Sequence, residues 1–180
     1  MVQVIGNRFE FIMATGNQKN IPGEYSNFFV YLKLESYLAQ WVSHEHGFPI
    51  RFPRGSIEND IIELGLKIRD ENEPVDLPGE GKYPVVLPFY KFKDVMTYNH
   101  LSDNAKDQLV HCLKVRFTIA LWNDLYKFGH IGKQKQDLIY AWMDAHDIDD
   151  TETNWNTISK IYTRKREAYR KQKQRNNNEY

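Results

Sequence analysis

The densest charge in this chain lies near its C-terminal end. Residues 154–175 read NWNTISKIYTRKREAYRKQKQR. Arg164, Lys165, Arg166, Arg170, Lys171 and Lys173 follow a more polar start that contains Asn154, Asn156, Thr157 and Lys160. Cationic side chains repeated along a helix neutralise phosphates, and Asn, Thr and Lys at a helix start are types that hydrogen-bond base edges. These ten residues form the candidate nucleic-acid-binding site, with duplex DNA as the expected partner. The competing reading is a solvated basic helix on a non-enzymatic structural or interaction protein, whose partner is another protein or a second copy of the chain.

Other constellations are weaker. His44 and His46 flank Glu45, but residues i and i+2 of a helix point to different faces and cannot chelate well, and no further His/Cys cluster supports them. Glu58, Asp60 and Glu63 offer carboxylates for acid–base chemistry, yet without a partner motif they read as the solvated face of a helix. Trp122 and Asp124 have the types to line a site, but an aromatic on an apolar helical stripe belongs to the core. Residues 147–151, DIDDT, lack the Gly and distal Glu of a calcium loop. No phosphate-cradling Gly loop, catalytic-triad order, zinc spacing or dinucleotide fingerprint occurs. The expectation is a protein that is not an enzyme and takes no metal or cofactor.

Formal net charge is zero, so no global basicity points to nucleic acid, but the charge is unevenly placed. Residues 151–180 hold eight Lys or Arg against three Glu, a local +5, and the first 150 residues carry the compensating −5. Such asymmetry marks an interaction tail. A hydrophobic fraction of 41% excludes a disordered chain. The single Cys112 excludes an internal disulfide and sits on an apolar stripe as a small core residue, which fits a reducing cytoplasm. No run of 18 apolar residues predicts a membrane span, and no basic region followed by an apolar run predicts a secretory signal.

The elements that must carry the site follow from periodicity. Residues 1–24 are weakly patterned and read as a leader. Phe28–Leu34 predicts a central strand, followed by a helix capped by Ser36 and stopped by Gly47 and Pro49. Pro49–Pro53 alternates and predicts an edge strand. Ser56 then caps a helix whose inward face is expected to hold Ile57, Ile61, Leu64, Gly65 and Ile68. Asp70–Lys82 is an acidic Pro/Gly-rich loop and the best internal boundary, and Tyr83–Phe92 a third strand interrupted at Pro88. Ser102–Phe128 carries the strongest helical stripe, with Gly129 as its stop. Gly132–His146 predicts a further helix, Thr153 or Asn154 caps the last one, and the final NNNEY reads as frayed. The fold class is α+β: a small β-sheet covered by helices, then a C-terminal helical, helix–turn–helix-like subdomain. The divisions are 1–24 leader, 25–129 α+β core and 130–180 helical hairpin.

Several phrases resemble a group of uncharacterised small proteins of bacterial phages and integrated mobile elements. They are PRGSIENDII (53–62), TYNHL (97–101), LWNDLYKFG (121–129), LIYAWM (138–143) and NWNTISKIYTRKR (154–166). The resemblance covers about Phe28 to Arg170 and carries no known activity. It implies a phage or mobile-element setting, and hence an accessory or regulatory role for a DNA-binding chain.

Overall fold

The computed structural model describes residues 25–128 and 134–178, with side chains for 28–126 and 134–176; the leader expected over 1–24 and the stop at Gly129 lie outside them. The architecture is mixed α+β, in the order β1 (Tyr25–Lys33), α1 (Ser36–His46), α2 (Ile57–Gly65), β2 (Leu66–Lys67), β3 (Lys82–Pro88), β4 (His100–Leu101), α3 (Asp103–Phe128), α4 (Lys135–Ala145) and α5 (Glu152–Asn178).

β1 and β3 pair antiparallel, with Val30 opposite Val85 and Leu32 opposite Tyr83. Among the described side chains of β1 and the residue after it, alternate positions Val30, Leu32 and Leu34 are buried, whereas β3 is buried continuously from Pro84 to Pro88. A strand buried on both faces is central, so β3 takes the central place that the sequence assigned to Phe28–Leu34. Its far side holds Ile50, which bridges to Val85 through Ile50 N–H to Pro84 O at 3.0 Å and Val86 N–H to Ile50 O at 2.9 Å. The strand expected over Pro49–Pro53 is reduced to this bridge, because neither flanking proline has an N–H to extend the ladder. The pair Leu66–Leu101 and Lys67–His100 forms a second, two-residue ladder that periodicity did not anticipate.

The helices cover this framework. Ala105, Leu109, Leu113, Phe117, Leu121 and Leu125 recur every four residues along α3 and are all buried. Ser102 Oγ accepts from Ala105 N–H and caps this helix as expected, and Ser56 Oγ does the same for Asn59 N–H at the start of α2. α1 starts differently: Glu35 occupies the N-cap position without a side-chain bond, and Ser36 is already helical.

The face of α2 matches the expectation only in part: Ile61 packs against the core and Gly65 against α3. Ile57, Leu64 and Ile68 are exposed, Leu64 to 83%, while Glu58, Asn59 and Ile62 are buried. The apolar count misled because the helix ends at Gly65 and because an arginine on α3 waits for Glu58. Lys93 Nζ donates to the carbonyls of Glu63 and Leu66, which satisfies the open end of α2.

One cluster of buried side chains runs from Val30 in β1 through α1 and α3 to Ile139, Trp142 and Met143 in α4 and Ile158 and Tyr162 in α5. The loop 68–81 is strapped to the body by Asp76, whose carboxylate accepts from Tyr31 N–H and pairs with Lys82 and Lys106. Burial opposes ionisation of Asp76, but these donors together hold it below its ordinary value.

The tightest approach is between α2 and α3. A Cβ added at Gly65 would lie 2.2 Å from Ala105 Cβ and 3.0 Å from Leu101 Cδ1. Gly65→Ala is expected to lower stability by about 1–3 kcal/mol through overpacking. Urea unfolding checks this, and an unchanged midpoint would mean that the two helices can separate freely.

Candidate nucleic-acid interface

α5 begins in the core and ends in solvent. Thr151 Oγ1 accepts from Asn154 N–H at 3.2 Å, so Thr151 does the capping assigned to Thr153 or Asn154. Ile158 and Tyr162 are buried, and every described side chain from Arg164 to Asn176 is exposed. The helix runs on to Asn178, through residues expected to fray.

The ten candidate residues divide by position. Asn154 is 2% exposed, and its amide donates to Gln40 Oε1 and Asp149 O, joining α5 to α1 and to the preceding loop. That bonding ties it to the interior and leaves it unsuited to a base edge. Asn156 and Thr157 are half-buried, and Thr157 Oγ1 donates to Thr153 O one turn earlier. Lys160, Arg164, Lys165, Arg166, Arg170, Lys171 and Lys173 are all exposed. Among the described residues, none of these seven takes part in a salt bridge.

Helical geometry sorts the cations into rows. Lys160, Arg164, Lys171 and Arg175 fall within about 60° of one another around the axis and span about 22 Å along it. They lie opposite the row of Ile158 and Tyr162 that meets the core. The row that meets the core also continues outward, through Arg166, Tyr169 and Lys173.

Tyr169 finds a partner there. Its hydroxyl lies 2.9 Å from that of Tyr126 on α3, and the rings meet edge to face at 5.2 Å. Trp122 packs against Tyr126 at 5.2 Å, Tyr169 at 5.4 Å and Tyr162 at 6.0 Å. Trp122 is half-buried within this group, whereas Trp142 is buried as the stripe implied. Sequence reading overlooked Tyr126 and Tyr169 as surface residues. The signals were the i, i+4 pair Trp122/Tyr126 and the i, i+7 pair Tyr162/Tyr169, each of which places two rings on one helix face.

The remaining titratable residues serve the framework. His44 Nδ1 meets Asp147 Oδ2 at 2.8 Å, while His46 packs edge-on against Phe52, so the two imidazoles diverge. Burial, with Arg116 nearby, pushes His46 below its usual pKa. Asp124 accepts from Trp142 Nε1 at 3.1 Å and lies 4.0 Å from His146 Nε2. Among the described residues, no group of three or more His, Cys, Asp or Glu is placed to hold a metal ion, and no helix is long and apolar enough to cross a membrane.

Glu58 is the deepest charge. Its side chain is 1% exposed and accepts from Arg116 Nη1, with Cys112 Sγ at 3.9 Å. The solvated face expected for it is instead a buried ion pair between α2 and α3. Burial favours the neutral acid, but the Arg116 hydrogen bond, the backbone N–H of Glu58 and Ser56 outweigh it and hold the carboxyl below its usual range. Cys112 is half-buried, and burial beside Glu58 pushes its thiol up, which disfavours the nucleophilic thiolate.

Comparison with known proteins gives no match to a family model, to a curated protein or to a solved structure.

A depressed folded pKa means that Glu58 contributes stability above the ordinary carboxylate range and loses it as pH falls through the folded value. Glu58→Gln is expected to cost about 2–3 kcal/mol at neutral pH, below the usual figure for breaking a buried pair because half-exposed Arg116 can rehydrate. Melting temperatures of the two proteins should converge in acid. A gap that stays constant with pH would contradict the ion-pair account.

Proposed function

We propose that this chain is a DNA-binding accessory or regulatory protein of a phage or mobile element, contacting duplex phosphates through α5. The observation that carries the reading is the exposed cationic row of Lys160, Arg164, Lys171 and Arg175, on a helix that continues past the core with one acidic residue, Glu167, between 164 and 176. Apart from Ala168 and Tyr169, the helix from 164 to 176 is polar and gains little from burial. Its unpaired cations repeat at about 6 Å per four residues and suit a polyanion. Backbone contact dominates in this reading, since Asn154 is committed to the interior and the hydroxyl of Thr157 to its own helix. The phage setting rests on the sequence resemblance alone.

A second reading, a protein-interaction module of the same setting, is favoured by the exposed Ile57 and Leu64 on α2 and by the exposed Phe92, which lines one shallow pocket with Leu64.

Four phosphate contacts imply that log K falls with log salt at a slope of about −3.6, taking about 0.9 per contact on duplex DNA. Replacing Lys160, Arg164 and Lys171 with Ala should flatten the slope by about 2.7 and weaken all sequences alike, whereas Asn156→Ala leaves it unchanged. Fluorescence anisotropy of a labelled duplex across a salt series measures this. Absence of binding at about 50 mM salt would overturn the DNA reading in favour of the second.

A further inference from the structure

The aromatic group across the helix from the cationic row has no explanation in duplex contact. Its innermost ring, Tyr162, belongs to the core, and Trp122 bridges from it to the surface. Tyr126 and Tyr169 are a different matter, at 40% and 37% exposed. They stand where α5 leaves the body, at the root of its exposed segment. Arg166 and Lys173, three residues before and four after Tyr169, share its side of the helix. Lys173 lies near enough to act electrostatically on Tyr126, opposing the upward push that the Tyr169 hydrogen bond gives its phenol.

We infer that Tyr126 and Tyr169, with Arg166 and Lys173 beside them, form a stacking site for the bases of an unpaired DNA strand. The inference rests on the DNA reading above and narrows it to DNA with a single-stranded segment next to duplex.

Three features argue for it. Bases present π-faces that stack on exposed aromatic rings whatever the sequence, and cations on either side of the rings follow the backbone. The Tyr126–Tyr169 hydroxyl contact and the packing on Trp122 hold both rings in place before any ligand arrives, which lowers the ordering cost of binding. The stacking site and the cationic row also lie on opposite sides of one helix. A duplex on the row and an unpaired strand on the rings would therefore straddle α5 without competing for the same side chains.

The test uses the full chain and two labelled DNAs, a blunt duplex and the same duplex with an overhang of about ten thymidines, a length within the usual single-strand site sizes. The tailed DNA should bind at least about fivefold more tightly, the lower end expected for one stacked base. The pair Tyr126→Leu and Tyr169→Leu keeps apolar cover over Trp122 but removes the rings. It should abolish the preference for the tail and leave blunt-duplex affinity unchanged. The pair Tyr126→Phe and Tyr169→Phe keeps the faces and should keep the preference, which separates stacking from the hydroxyl contact. Equal affinity of the unaltered chain for both DNAs would overturn this inference and leave the duplex reading standing. So would an equal loss on both DNAs in the Leu pair. Failure of both DNAs to bind at about 50 mM salt would overturn the two together.

Discussion

Phe117 meets three aromatic side chains in T-shaped contacts. Tyr37 and Trp41 reach it from α1 at 4.8 and 5.4 Å with interplanar angles of 69° and 89°, and Trp142 reaches it from α4 at 5.4 Å and 89°. Edge-to-face contacts of this kind add to the burial of the rings themselves. Burial pushes the Tyr37 phenol up to about 12, so it stays neutral inside this group. Because α1 follows β1 and α4 precedes α5, the Phe117 contacts tie the sheet end of the molecule to its C-terminal helices. Trp142 is fixed twice, by Phe117 on its ring and by Asp124 on its indole N–H. α5 inherits a defined direction from Ile158, Tyr162 and the Asn154–Gln40 bond, and its exposed half follows that direction.

Electrostatics give that exposed half its character. Several acids are matched within the body: Glu58 with Arg116, Asp76 with Lys82 and Lys106, and Glu73 with Lys67. Seven cations of α5 have no such match among the described residues. The chain is neutral as a whole, yet residues 151–180 carry +5 against the −5 of the first 150. Charges more than about 10 Å apart are largely screened at 0.1 M salt, so the acidic body does little to quench the helix.

The sequence spoke most clearly where a rule is local. The stripe on α3 and the serine caps at Ser56 and Ser102 depend on neighbours in the chain, and they were legible. The face of α2 was legible only in part, because Glu58 is drawn inward by Arg116, 58 residues away. Asn154 has the residue type of a base reader, but Gln40, 114 residues away, claims its amide. Tyr126 and Tyr169 meet across 43 residues, and neither marks itself as a surface residue in the sequence. The basic run was legible as an exposed helical segment because a dense run of cations has no route into an apolar core and must stay in water.

The most direct test of the central claim is hydrogen exchange along the chain, free and with duplex DNA at low salt. The exposed half of α5, from Arg164 onward, should exchange fast in the free chain and become protected when DNA is added, while the amides of α3 around Phe117 stay slow in both states. Protection that appears instead on α2 and around Phe92, or no change along α5, would contradict the account.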